Sequence, residues 1–129
     1  MIVEIQMLIF ASILGLVQLL AAAHLSTMQR GLKWNLSSRE SSRPPLTGMA
    51  GRVDRSYRNF METFPIFIVA IFAVLFLQKG TSLSYWGSQL YFYSRVLYFF
   101  VYAAGITGLR TLIWGASLIG LVMVLCSLL

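Results

Sequence analysis

The residues that most constrain this chain are the twelve from Ile66 to Leu77, IFIVAIFAVLFL, which contain no polar side chain. A segment this apolar belongs out of water, and there a helix satisfies all its backbone N–H and C=O groups within the segment. Comparable stretches occupy about residues 5–28, 83–104 and 111–129. Each is close to the ~20 residues that cross a bilayer. Hydrophobic residues make up 58% of the chain and charged residues 11%, where a soluble domain carries roughly 25% charge. The sequence predicts an all-α membrane protein, a four-transmembrane-helix bundle with spans at about 5–28, 59–78, 83–104 and 111–129. These form one domain over 1–129, with a single sizeable loop at about 29–58. The opening, MIVEIQ, has an acid and no base, so the first span reads as a retained helix and not as a cleaved signal.

The formal net charge is +6, and its distribution carries topology. Arg30, Lys33, Arg39, Arg43, Arg52, Arg55 and Arg58 lie in or beside the first connection, Arg110 at the third, and only Lys79 at the second. The positive-inside rule puts the first and third connections in the cytoplasm and both termini outside it. Because the bases flank apolar runs, they speak for a membrane and not for nucleic acid as partner. The loop NLSSRESSRPPLTG is polar, with Pro44-Pro45 stiffening its middle; it reads either as a recognition loop or as a solvated basic loop that touches anionic lipid headgroups. One cysteine (Cys126) and one histidine (His24) exclude an internal disulfide and give no cluster of metal-ligand spacing. No Gly-rich phosphate loop or nucleophile elbow is present.

What remains is a set of polar residues in costly places. Arg55, Asn59 and Glu62 are spaced four and three apart and line one helical face, with Arg58 spaced to pair with Glu62. A purely local role, with Glu62 favouring the helix N-terminus, accounts for an acid and a base but poorly for a stripe that runs up to the apolar segment. In the third span, Tyr91, Arg95, Tyr98 and Tyr102 share a face. A mid-span arginine costs a few kcal/mol or more without a partner, and Glu62 is the candidate partner by elimination. The phenols and the guanidinium are expected to form a hydrogen-bonded ladder. An interfacial aromatic belt explains Tyr85 and Tyr102, but not a stripe through the middle. With Arg110, the two faces are expected to make a cationic, phenol-rich pocket at the membrane surface, suited to a small ligand with carboxylates that arginine forks grip.

The motifs RPPLTG, RVDRSYRNFMETFPIF and YSRVLYFFVYAAGITGLRTLIW resemble the MAPEG family, the membrane-associated proteins of eicosanoid and glutathione metabolism. The resemblance extends over essentially the whole chain. It implies a four-helix bundle assembled as a homotrimer, with glutathione as co-substrate bound between subunits near the cytoplasmic face. The positions that match glutathione-binding ones are Arg55, Asn59, Glu62, Tyr98 and Tyr102, with Arg95 in support. Arg110 matches the arginine that holds the glutathione sulfur as thiolate. The implied function is a membrane-bound glutathione transferase, with or without a peroxidase reaction, that detoxifies hydrophobic electrophiles delivered by membrane lipid. The basic charge fits a bacterial inner membrane or an endoplasmic reticulum, and the compact loops favour the bacterial one. The alternative on the same fold is a non-catalytic lipid-binding or scaffold protein. The sequence departs from leukotriene-forming members at Thr63, where they carry tyrosine. Its Tyr102–Arg110 stretch is also one residue longer, and Arg39 and Arg43 are only approximate counterparts of their loop arginines.

Overall fold

The computed structural model describes residues 2–40, 43 and 45–129. The elements are α1 (Val3–Arg30), α2 (Leu32–Asn35), α3 (Gly48–Phe76), α4 (Ser82–Ala104) and α5 (Thr107–Cys126). Helices α1, α3 and α5 are long and apolar enough to cross a membrane. Helix α4 has the length, 23 residues, but its serines, tyrosines and Arg95 dilute its apolar character.

The core explains why the four long helices pack. Ala11 of α1, Phe67, Ala70 and Ile71 of α3, Tyr91 of α4 and Val124 of α5 are wholly buried together. The Phe67 and Tyr91 rings stack with centroids 4.1 Å apart. The Tyr91 phenol is buried without penalty because it shares a 2.9 Å hydrogen bond with Thr63. Around this core Val69, Phe72, Leu97, Phe100 and Leu112 point outward and stay exposed, the arrangement expected where the surrounding solvent is lipid.

Helices α4 and α5 approach closely through two glycines. A Cβ on Gly87 would lie 2.8 Å from the Gly120 carbonyl oxygen, and one on Gly120 would lie 2.6 Å from the Tyr91 nitrogen. At the opposite end from Arg110, α4 starts with a capping box. The Thr81 hydroxyl accepts from the Leu83 amide at 3.2 Å and Ser84 Oγ accepts from the Thr81 amide at 3.0 Å. Ser84 also donates to the buried Glu4 carboxylate at 3.0 Å, which gives that acid of α1 its partner.

Two helices start before the spans expected from the sequence. Helix α3, which carries the span expected at about 59–78, begins at Gly48, because Ala50, Val53, Ser56 and Phe60 carry its buried face back well before the apolar run. Helix α5 begins at Thr107 rather than near residue 111, so Arg110 stands in a helix and not in a turn. The first connection is correspondingly shorter. Gln29 ties its two ends together: its Oε1 accepts from the Thr47 amide at 2.9 Å and its Nε2 donates to the Thr47 carbonyl at 3.1 Å. Of the proline pair expected to stiffen this loop, Pro44 lies outside the described residues.

Candidate functional site

The early start of α3 has a functional consequence. It makes Arg55, Arg58, Asn59 and Glu62 successive residues of one regular helix face. Tyr98 and Tyr102 face them from the end of α4, and Arg110 from the first turn of α5. These seven side chains line a cavity of about 390 Å³, within the ~300–1,000 Å³ range of small-molecule sites. A smaller extension of about 280 Å³ shares Asn59, Tyr98 and Arg110 and adds Thr111 and Trp114. Sequence reasoning missed these last two. Their signal was their spacing, one and four residues after Arg110. On the other side of Arg55 and Arg58 lies a second cavity, of about 490 Å³, to which Arg30, Arg39, Asp54 and Tyr57 contribute.

Tyr102 is the hub of the smaller site. Its hydroxyl accepts from Arg55 Nε at 3.2 Å. Its ring lies 5.9 Å from the Arg55 guanidinium carbon and 4.4 Å from that of Arg110. One aromatic side chain of α4 thus holds an arginine from α3 and another from α5. Tyr98 meets Tyr102 edge to face at 5.5 Å. Such contacts orient a guanidinium through the ring's quadrupole without neutralising it.

Arg95 does not line the cavity. It is 1% exposed, and its guanidinium carbon lies 4.4 Å from the Tyr98 ring centre and 5.6 Å from that of Phe60. None of its three guanidinium nitrogens has a hydrogen-bond partner. The expected ladder of phenols and guanidinium is therefore a stack of rings and cations, because Tyr91 turns its hydroxyl to Thr63. The expected pairings with Glu62 do not form either. The one ion pair among the described residues joins Arg58 Nε to Asp54 Oδ2 at 3.1 Å. Asp54 precedes Arg58 by four residues, the favourable order on a helix, and so draws Arg58 away from Glu62. Glu62 is left exposed on the cavity wall.

Electrostatically, the cavity presents Arg55 and Arg110 as cations without an acidic partner, Glu62 as an anion without a basic one, and two phenols as further donors. It is matched to a ligand with more than one negative group and one positive group. Among the described residues no three His, Cys, Asp or Glu side chains cluster to hold a metal.

Fold and site together define an α-helical integral membrane protein with a cationic, phenol-lined cavity at one end of the bundle. The chain belongs to the MAPEG family, whose description it matches over residues 7–129. Comparison with curated proteins and with solved structures finds no match.

Proposed function

We propose that this protein is a membrane-bound glutathione transferase, a four-span bundle working as a homotrimer. The observation that carries the reading is that Arg55, Asn59, Glu62, Tyr98, Tyr102 and Arg110, from three helices, line one cavity. Glutathione has two carboxylates, one ammonium and a thiol, and this wall offers complementary groups for each. Arg55 grips a carboxylate, Glu62 takes the ammonium, and Asn59 and the phenols of Tyr98 and Tyr102 donate or accept along the peptide.

Arg110 supplies the activation. A thiol of ordinary pKa, about 8.5, is mostly protonated at neutral pH, and the thiolate is the nucleophile. A guanidinium beside the sulfur favours the anion, and the thiol proton leaves to solvent. The thiolate then forms a carbon–sulfur bond with a hydrophobic electrophile, and the electron pair departs with the leaving group or is protonated by water in an addition. Trp114 and the outward-facing side chains around it offer an apolar approach from the lipid, while glutathione enters from the cytoplasm.

The test is an ultraviolet difference titration of the purified protein with glutathione near neutral pH. Wild type is expected to develop a thiolate band near ~240 nm, and Arg110→Ala to bind glutathione without it. Binding without a band in wild type would leave a binding protein and remove the transferase. No binding at all would favour the non-catalytic lipid-binding alternative on the same fold.

A further inference from the structure

Arg110 reaches the cavity from a helix that barely touches α3, so something must fix the end of α4 and the turn into α5 relative to the rest of the wall. Helix α4 ends in a Schellman motif. The Gly105 amide donates to Tyr102 O at 3.0 Å and the Ile106 amide to Val101 O at 3.2 Å, with Gly105 at φ +83°, a conformation open to glycine. That motif satisfies the carbonyls of Val101 and Tyr102 and leaves the next one, Ala103, unpaired within the helix. Its partner comes from α3: Arg52 Nε donates to Ala103 O at 3.0 Å. The guanidinium also covers Gly105, where a Cβ would lie 3.6 Å from Arg52 Nε and 3.7 Å from its Cζ. A cation at this place also meets the negative end of the α4 dipole.

Arg52 and Arg55 are three residues apart on α3, and they hold consecutive residues of α4. Arg55 bonds the Tyr102 hydroxyl and Arg52 the Ala103 carbonyl. Only Ala104, Gly105 and Ile106 separate that grip from α5, whose fourth residue is Arg110. The tether is short, so displacement of the end of α4 is passed directly to Arg110.

We propose that Arg52 is a positioning residue: by clamping the α4–α5 turn to α3 it aims Arg110 at the ligand, without touching the ligand itself. Arg52 does not line the cavity, and the stripe identified from the sequence left it among the topogenic bases of the first connection. The proposal rests on the transferase reading for its consequence, but not for the clamp.

The experiment compares wild type, Arg52→Ala, Arg52→Lys, Arg110→Ala and the Arg52→Ala/Arg110→Ala double variant. Hydrogen exchange of the ligand-free, detergent-solubilised protein is read first. Arg52→Ala is expected to speed exchange at Gly105 and Ile106 by about tenfold or more while leaving α1 unchanged, as local opening does. Lys, which keeps one donor, should recover part of the protection. The second readout is the pH midpoint of the thiolate band with glutathione as probe. Arg52→Ala should move it up by roughly half a unit or more towards the free thiol, with glutathione affinity changed by less than about threefold. The double variant should show no larger shift than Arg110→Ala alone, since the clamp acts through Arg110. Unchanged turn protection in Arg52→Ala, or a midpoint equal to wild type, overturns the proposal. If Arg52→Ala does not fold, Arg52→Lys decides: full wild-type protection and midpoint with a group that cannot also cover Gly105 would count against the two-point clamp. A wild-type protein that binds glutathione without a thiolate band would sink the transferase reading and leave the exchange result to judge the clamp by itself.

Discussion

The close approach of α4 and α5 at Gly120 makes a sharp prediction. Replace Gly120 with alanine, and the new Cβ falls 2.6 Å from the Tyr91 amide nitrogen, 2.7 Å from the Gly87 carbonyl oxygen and 3.1 Å from Tyr91 Cα. All three are backbone atoms of α4, so no side chain can swing aside, and α4 and α5 must separate. Overpacking of this kind costs about 1–3 kcal/mol. The intrinsic gain from replacing a helical glycine by alanine, about 1 kcal/mol, offsets only part of it. Gly115 stands on the same helix five residues earlier, with nothing within 4 Å of its hypothetical Cβ, so Gly115→Ala collects the gain without the clash. The two variants should therefore differ by roughly 1–3 kcal/mol, Gly120→Ala falling below wild type by up to ~2 and Gly115→Ala rising by up to ~1. The assay is reversible SDS-induced unfolding in mixed micelles, followed by the fluorescence of the three tryptophans. If Gly120→Ala unfolds at the same SDS fraction as Gly115→Ala, the close α4–α5 approach is not what holds these helices together.

Four further outcomes are expected. Glu62→Gln should weaken glutathione about ten- to a hundredfold, the worth of a charge-assisted hydrogen bond, and the loss should vanish with a glutathione analogue lacking the amino group, as competition titration will reveal. Arg95→Met removes a buried cation with no hydrogen-bond partner, so SDS stability should hold or rise, while glutathione affinity falls about two- to tenfold as Tyr98 loses the cation beneath its ring. Tyr91→Phe and Thr63→Val should each cost about 1 kcal/mol by SDS titration, and the double variant little more than either, because both delete the same hydrogen bond. Asp54→Asn should shift stability by less than about 0.5 kcal/mol, since its pair with Arg58 lies at the surface; a larger loss in the same assay would give that pair a structural role.

How much of this was legible in the sequence depended on what kind of signal each part left. The apolar runs announce themselves, and the three-four spacing of Arg55, Asn59 and Glu62 is a property of helix geometry alone, so these three could be placed on one face before any fold was known. The start of α3 was not legible in the same way. Residues 48–58 are charged and polar, and their helical face is defined by small residues, Ala50, Gly51 and Ser56, that pack against neighbours but contribute little to hydropathy. Partner choice was also hidden. Arg58 can reach Asp54 or Glu62 from one sequence position, and Tyr91 can address Arg95 or Thr63. Only the packed helices decide such contests. Arg52 illustrates the limit most clearly, since its acceptor is a backbone carbonyl 51 residues away, and backbone acceptors leave no trace in residue identity.

The partners chosen by the arginines bear on why such a costly set of cations is useful here. Within the described residues a single acid–base pair forms, Asp54 with Arg58, whereas Arg55, Arg95 and Arg110 all lie against tyrosine rings. A carboxylate partner would have held each guanidinium equally well, but it would have cancelled the charge and occupied the in-plane N–H groups that an incoming anion needs. A ring does neither. It contacts the guanidinium through its face, contributing about 0.5–2 kcal/mol depending on desolvation, and leaves the charge in place. Tyr102 does this for Arg110 through its ring face and holds Arg55 through one bond from Nε to its hydroxyl, leaving the terminal N–H groups of Arg55 open, while the neighbouring acid Asp54 is kept on Arg58. The phenol-rich face of α4 is thus the device that lets a cationic site persist at the end of an apolar bundle without being neutralised from within, and Glu62, the one acid left on its wall, gives the site its polarity.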